Sequence, residues 1–401
     1  MKDVSWVNDL KIRGSYGIMG NKEGINPTNS YSTYSQNPRL SYYDINGAGN
    51  AIVQGFFPQQ NGNTFTSWEE NKLFNIGFDA TILKNKLDLS ADYYKKSTNG
   101  LLRPVQVPYT AGEARSPFVN IGDVENKGVD ITATYRGSIA KDFQFSVGVN
   151  FTTYKNKIIK LEAPGYFDEG IVRFQEGHPM TSFYGYKIIG VFNDSNQVKR
   201  SPVQQDAAAG RYQYFDADGN DTISSLDRVH FGDANPSFTM GVNLGAKYKN
   251  FDFTAIIYTS QGNDIYNNQL EWLGSFERGV SNKNNRVLKA WTPSNTNTMI
   301  KKNELGRNFS NSSVTNSDFL EDGSFIRLRS VQLGYNLPLA SLKRIGISRL
   351  RFYLTAVNLL TITNYSGLDP EVPGTGVGFR GQDVGAYVQE KSVAVGLNLG
   401  F

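Results

Sequence analysis

Large apolar residues recur at every second position in many stretches of this chain. In the last fifteen residues, Val393, Val395, Leu397, Leu399 and Phe401 alternate with small or polar residues. A period of two is the period of a β-strand, so this stretch predicts a terminal strand with one apolar face. An uncovered apolar edge strand promotes aggregation in water, whereas closing a sheet into a membrane barrel removes the edge. For this stretch alone, a terminal strand of a soluble sandwich is the alternative.

The same alternation recurs along the chain and predicts about twelve strands. It is clearest at 238–248, where the turn 249–250 leads directly into another alternating stretch. Strands joined by so short a turn must be antiparallel neighbours. Two less regular segments, 171–174 and 183–192, are counted as a strand pair. A change of phase near Arg329 predicts a β-bulge.

The connections between these strands alternate in length. Short turns fall at 84–86, 138–141 and 249–250, and long segments at 21–67, 193–233 and 262–322. Outer-membrane barrels combine short periplasmic turns with long outer loops. In the eight clearest strands, charged residues are confined to the polar register: Lys11, Arg13, Asp79, Asp88, Asp92, Asp130, Arg136, Lys247 and Asp252. Because a charge facing lipid costs about 2–4 kcal/mol at the midplane, this pattern favours an antiparallel transmembrane β-barrel.

Composition narrows the class of protein further. The 41 basic and 37 acidic residues give a net charge of +4, so there is no nucleic-acid footprint. The chain has no cysteine, which excludes disulfides and cysteine-based metal sites. No apolar run is long enough for a membrane helix, and no apolar h-region follows Met1. We therefore expect the export signal on a segment outside this sequence, which makes the chain a C-terminal fragment.

Several motifs occur in an order typical of one family. The longest is Asp-Gly-Ser-Phe-Ile-Arg-Leu-Arg at 322–329, and it is accompanied by Asn-Ile-Gly-Phe-Asp at 75–79, Asn-Lys-Gly at 126–128, Trp-Thr-Pro at 291–293, Asp-Pro-Glu at 369–371 and the terminal Phe401. Through them the chain resembles the SusC/RagA family of TonB-dependent outer-membrane transporters from Bacteroidetes-type bacteria. The resemblance covers essentially the whole chain.

This resemblance implies a fold and a function. Members of the family have an N-terminal plug, a TonB-contacting segment and a 22-stranded barrel. Residues 1–401 would then be the C-terminal part of the barrel, with the plug domain and the N-terminal strands absent. The implied function is active import of large nutrients, oligosaccharides or oligopeptides, across the outer membrane. The implied partners are a SusD-like surface lipoprotein, outer-membrane lipid, and the TonB complex acting through the missing N-terminal segment.

Two other functions remain open, and an enzyme is not expected. The chain could be a passive outer-membrane pore complete in itself, or a secreted β-rich glycan-binding or adhesin module. It contains neither a Gly-Lys phosphate loop nor a Gly-x-Ser-x-Gly nucleophile motif. Its two histidines, His178 and His230, lie far apart in the sequence, so structural roles are favoured over catalysis.

An Asp-rich stretch resembles a calcium-binding loop. Asp216, Asp218, Asn220, Thr222 and Asp227 stand at positions 1, 3, 5, 7 and 12, where alternating oxygen ligands can converge on a cation. Position 6 carries an aspartate where calcium loops have glycine, and position 12 carries the shorter aspartate in place of glutamate. The alternative is a solvated turn closed by its own side-chain hydrogen bonds. Calcium is thus the one cofactor that the sequence suggests.

Aromatic residues in the long connections are candidate substrate contacts. Tyr31, Tyr34, Trp272 and Trp291 could stack on sugar rings or peptide side chains. Aromatic residues of long loops also serve to pack those loops, which is the alternative for each of them.

Overall fold

The computed structural model describes residues 6–23, 25–44, 47, 52–104, 114–277, 279, 281–338, 346–374 and 376–401. Within these residues, ten long antiparallel strands form one sheet in which each strand pairs with the next. They are β1 (Val7–Asn21), β2 (Glu69–Ile82), β3 (Leu87–Asn99), β4 (Gly122–Ala140), β5 (Phe143–Leu161), β6 (Phe238–Tyr248), β7 (Phe251–Gln261), β8 (Phe325–Asn336), β9 (Arg349–Thr363) and β10 (Ser392–Gly400). The all-β, antiparallel prediction is confirmed.

The apolar register of these strands forms an exposed face of the sheet. Ile12 of β1 lies opposite Phe78 of β2, and Leu354 of β9 lies opposite Val395 of β10. Ile12 is 77% exposed and Val395 is 81% exposed. The prediction that this register faces outward, instead of into a compact core, is therefore confirmed. Because soluble monomers rarely expose contiguous apolar surface of this kind, another apolar medium must cover it.

The connections of the ten strands differ at the two ends of the sheet. One end carries the short connections 83–86, 141–142, 249–250 and 337–348. The other end carries the long connections 22–68, 100–121, 162–237, 262–324 and 364–391. The predicted alternation of short turns and long segments is thus confirmed.

The prediction of about twelve spanning strands is corrected to ten in the described part of the chain. The segments 171–174 and 183–192 do not join the main sheet. Residues 172–174 and 183–186 lie in a separate four-stranded sheet made of Tyr166–Glu169, Val172–Gln175, Ser182–Tyr186 and Arg228–Asp233, whereas 188–191 belongs to a two-stranded sheet. A strand that crosses a membrane needs about 9–11 residues, and these strands are shorter. They show the same alternation because any sheet with one buried face has a period of two.

The long-connection end holds the remaining secondary structure and the buried core. Its other strands pair as Thr33–Ser35 with Phe57–Gln60, Leu102–Pro104 with Phe118–Asn120, Ile188–Val191 with Tyr212–Tyr214, and Asp264–Asn267 with Leu320–Asp322 and Gln382–Asp383. Among the described residues, the α-helices are α1 (Ser195–Arg200) and α2 (Asn268–Leu273), and the 3-10 helices are Ser225–Asp227, Asn285–Lys289, Ser317–Phe319 and Val377–Phe379. No helix of the described residues is long and apolar enough to cross a membrane.

Two clusters of buried side chains form this core. The first is built around Ile158, Phe174 and Phe183. The second contains Tyr186, Tyr212, Val191, Tyr214 and Ile223. Each cluster joins segments far apart in the sequence, so the long connections form a packed layer above the end of the sheet.

The predicted bulge lies in β8. Ser330 pairs with Ile256 of β7, whereas Leu328 pairs with the next residue, Ile257. Arg329 is therefore the extra residue on its strand. The bulge reverses which side chains face outward along β8, as the change of phase in the sequence predicted.

Candidate functional site

The polar face of the sheet carries ion pairs that connect neighbouring strands. Arg13 of β1 reaches two aspartates, with Nε 2.9 Å from Asp79 Oδ2 and Nη2 2.8 Å from Asp92 Oδ2. Farther along the same face, Asp252 Oδ1 of β7 accepts hydrogen bonds from Asn336 Nδ2 at 3.0 Å and from Arg351 Nε at 3.1 Å. A face built from paired charges and amides suits water or polar solutes and not lipid.

A concave cleft of about 850 Å³ lies on this face at the short-connection end. Basic side chains predominate among the charged residues that line it: Lys86, Arg136, Lys247, Lys249, Arg349 and Arg351, against Asp252. Arg136 is paired with Asp88, and Arg351 with Asp252. The remaining cations give this end of the polar face a positive potential that attracts anionic groups.

A buried arginine fixes the last long connection to the polar face. Arg327 of β8 is 2% exposed, and its Nη2 donates to Asp369 Oδ1 at 2.6 Å. Arg327 also binds Glu371, which in turn binds Arg329. Burial by itself raises the pKa of Asp369, but hydrogen bonds from the backbone amides of Glu371 and Gln389 and from Arg327 outweigh it and lower that pKa. The segment 364–391 is thereby held by ionised side chains.

The Asp-rich loop brings three of its predicted ligands together. Asp216, Asp218 and Asp227 each place one carboxylate oxygen within 4.8 Å of the others. Asp227 is fully buried and accepts backbone hydrogen bonds from Ala217 at 2.8 Å and Ser224 at 2.7 Å. Burial raises the pKa of Asp227, but these backbone hydrogen bonds outweigh burial and lower the pKa. The carboxylate is therefore ionised at neutral pH, as a cation ligand must be.

The other two predicted ligands make hydrogen bonds within the loop. Asn220 donates from Nδ2 to Asp218 Oδ2 at 2.9 Å, and its own Oδ1 accepts from the Thr222 backbone N–H at 2.8 Å. A solvated turn predicts such bonds as well, so the five-residue calcium set stays a prediction. Asp221 has a φ of 60°, the left-handed conformation that position 6 of a calcium loop requires.

We expect the Asp218→Asn substitution to abolish calcium-dependent ordering of this loop. The variant removes one anionic ligand at an exposed position, so the fold of the loop without a cation is retained. Hydrogen exchange of residues 216–227, measured with calcium and with a chelator, reports the ordering. Asp221→Asn, a change in the same loop outside the ligand set, is the matched control. If the unsubstituted protein exchanged at the same rate with calcium and with the chelator, the predicted calcium site would be ruled out.

The two histidines are in contact, although 51 residues separate them in the sequence. The rings of His178 and His230 stack with centroids 3.7 Å apart. His230 Nδ1 lies 2.8 Å from Ser182 Oγ, and its Nε2 lies 3.2 Å from Gln175 Oε1. Burial and the neighbouring His178 and Arg173 lower the pKa of His230 to about 4. A hydrogen-bonded structural role accounts for the His230 ring, and the His178 ring packs against it.

The histidine pair predicts acid sensitivity of the four-stranded sheet. In the unfolded chain the pKa of a histidine is about 6.5, so between pH 6.5 and 4 the unfolded state binds more protons than the folded one. The contribution of the neutral histidine to the free energy of unfolding is therefore fully present above pH 6.5, and it is lost as the pH falls through this window. We expect opening of Ser182–Tyr186, measured by hydrogen exchange corrected for intrinsic rates, to rise by up to about tenfold per pH unit. His230→Gln should flatten this slope, and equal slopes in both proteins would contradict the assignment.

The four candidate aromatic contacts lie in different surroundings. Tyr31 and Tyr34 are exposed in the first long connection, and Trp272 is exposed on α2. Trp291 is partly buried and packs against the second apolar cluster. A Cβ added at Gly210, whose φ is 82°, would lie 2.5 Å from the Trp291 ring, so that ring also fixes the backbone beside it. A role of these residues in substrate contact stays a prediction.

Comparisons with known proteins agree with this geometry. No protein-family model matches the chain. TonB-dependent receptor P3 of Formosa agariphila is 34% identical over 421 residues, which cover all of this chain and 40% of that protein. TonB-dependent receptor SusC of Bacteroides thetaiotaomicron is 27% identical over 410 residues, which cover all of this chain and 38% of that protein. The match to the structure of the RagAB peptide transporter covers all of this chain and 41% of the transporter chain, with a TM-score of 0.82 and 26% identity. Over its whole length the chain is therefore similar to TonB-dependent receptors of the SusC/RagA type.

The similarity to TonB-dependent receptors accounts for the exposed apolar face. These receptors are β-barrels of the outer membrane, so the lipid of that membrane covers this face of the sheet. The chain spans about two fifths of the length of the curated relatives that it matches. The names of those relatives are names of receptors and transporters and not of enzymes.

Proposed function

We propose that this chain is the C-terminal part of a SusC/RagA-type outer-membrane barrel that actively imports large nutrients, either oligosaccharides or oligopeptides. A preceding segment of the same protein supplies the first strands, the plug and the site on which the TonB complex acts. A SusD-like surface lipoprotein covers the long connections. The polar face of the sheet lines the path of the nutrient.

The similarity to the RagAB peptide transporter over the whole chain carries this proposal. Two features of the sheet support it. Its apolar face suits lipid, and its polar face presents paired charges such as Arg13 with Asp79 and Arg351 with Asp252. The edges β1 and β10 are not paired with each other in the described residues. Because lipid cannot satisfy an unpaired strand edge, these edges support a barrel that further strands complete.

Uptake by living cells tests the proposal. Cells with the intact gene, cells without TonB, and cells lacking the region that encodes this chain are each given a fluorescent oligosaccharide mixture or a fluorescent oligopeptide mixture. We expect saturable uptake of one mixture that is lost in both mutants. Uptake that persists without TonB would contradict active transport.

The two alternatives give different outcomes in simple experiments. A passive pore would admit solutes without TonB, and this chain alone would swell solute-loaded liposomes. A secreted binding module would be recovered from the soluble culture fraction. The 77% exposure of Ile12 and the 81% exposure of Val395 disfavour the secreted module, because water would contact both side chains. A band that migrates differently before and after boiling supports a membrane barrel.

A further inference from the structure

A second cleft, of about 370 Å³, lies within the packed layer of long connections. Its walls come from the turn after Tyr166–Glu169, the strand Ser182–Tyr186, the 3-10 helix Ser225–Asp227 with the residue that follows it, and residues 314–315. Ligand sites for small molecules or single residues of a polymer have volumes of about 300–1,000 Å³. The cleft is separate from the cationic cleft at the short-connection end.

Two charged residues line the cleft, Asp168 and Arg228. Together they leave one positive charge uncompensated. Asp168 accepts two hydrogen bonds from Arg173, from Nε at 2.6 Å and from Nη2 at 2.7 Å, so its charge is balanced. Arg228 donates from Nε to the Ser225 carbonyl at 3.2 Å and forms no ion pair with any carboxylate in the described ranges.

The neighbouring acidic residue does not neutralise Arg228. Asp227 precedes it directly, but the Asp227 carboxylate is fully buried and accepts from the backbone amides of Ala217 and Ser224. Those bonds also fix the backbone from which Arg228 extends. The guanidinium group therefore stays at the cleft with donors available for a ligand.

The walls of the cleft are rigid. The Tyr186 backbone N–H donates to the Thr315 carbonyl at 3.0 Å, and a Cβ added at Gly185 would lie 2.4 Å from that same oxygen. The Tyr184 backbone N–H donates to the Ile171 carbonyl at 2.9 Å. The Arg173 guanidinium lies 3.7 Å from the centre of the Tyr184 ring. Because these contacts exist before a ligand arrives, little ordering cost is added on binding.

We propose that this cleft binds a carboxylate group of the imported nutrient, with the Arg228 guanidinium as its ionic partner. A guanidinium matches a carboxylate because its planar fork can donate two parallel hydrogen bonds. The carboxylate belongs either to an acidic sugar of an oligosaccharide or to an acidic side chain of an oligopeptide. This inference rests on the import function proposed above and adds the chemical class of the substrate.

Binding to the full-length transporter in detergent tests the inference. The probes are tri-galacturonic acid with its methyl ester, and a Glu-containing tripeptide with its Gln counterpart, each measured by calorimetry. We expect one acidic probe to bind at least about tenfold more tightly than its neutral counterpart, and we expect Arg228→Gln to remove that difference. The acidic probe that binds identifies the source of the carboxylate.

Two further variants keep the test decisive. Arg200→Gln, at an exposed position on α1, should bind as the unsubstituted protein does. Arg228→Lys keeps the charge but loses the fork, so its affinity should be intermediate, which also shows that the site still folds. Equal binding of acidic and neutral probes, or no effect of Arg228→Gln, would overturn the inference. TonB-dependent uptake that persists alongside such a result would leave the import function standing.

Discussion

Replacing Leu354 by arginine destabilises the barrel by about 2–4 kcal/mol, the cost of placing a cation against lipid near the bilayer midplane. Leu354 is 48% exposed on the apolar face, near the middle of β9. It lies between Leu333 of β8 and Val395 of β10, which are also exposed. Arginine at this position therefore has neither water nor a carboxylate beside it.

The next residue supplies the matched control. Thr355 pairs with Gln332 and Ala394 and faces the polar side of the sheet. Thr355→Arg adds the same side chain to a face that already carries arginines, so we expect a change within about 0.5 kcal/mol. Denaturant titration of the intact transporter in lipid, read from the band that changes migration on boiling, measures both variants. If Thr355→Arg proved as damaging as Leu354→Arg, the assignment of the two faces would be contradicted.

The sequence predicts the sheet well because its signal is local. A strand such as β6 alternates large apolar residues with small or polar ones, and the turn 249–250 fixes its partner. The bulge at Arg329 follows from a change of phase within a single strand. Short and long connections are read directly from the spacing of such strands. The prediction of a spanning strand at 171–174 was wrong for a related reason. Alternation indicates that one face is covered and does not say whether lipid or protein covers it.

The packed layer of long connections could not be predicted in this way. The stack of His178 on His230 joins residues from separate segments, and no local period indicates it. Arg228 is an ordinary basic residue in the sequence. Its significance depends on two contacts that the sequence does not show. Asp168 is paired with Arg173, and the Asp227 carboxylate accepts hydrogen bonds from backbone amides. The Asp-rich loop can be recognised in the sequence because all five of its predicted ligands lie within twelve consecutive positions.

Replacing Arg327 by methionine destabilises the protein by about 3–5 kcal/mol, because the buried Asp369 carboxylate loses its cation and Glu371 keeps only Arg329. Arg327 and Asp369 are almost fully buried, and Glu371 is bound to the same guanidinium. The first segment to loosen is the last long connection, 364–391, which these ion pairs hold to β8. Limited proteolysis of that segment and thermal unfolding of the intact transporter measure the two effects.

Two controls separate the buried ion pairs from a general effect of losing an arginine. Arg349 is exposed at the start of β9 and forms no ion pair within the described residues, so Arg349→Met should change stability by no more than about 0.5 kcal/mol. Adding Asp369→Asn to Arg327→Met removes the buried charge that has lost its cation and should recover part of the loss in stability. If the double variant were no more stable than Arg327→Met alone, an uncompensated charge on Asp369 would not be the cause. If Arg327→Met behaved as Arg349→Met does, the segment 364–391 would be held by contacts other than these ion pairs.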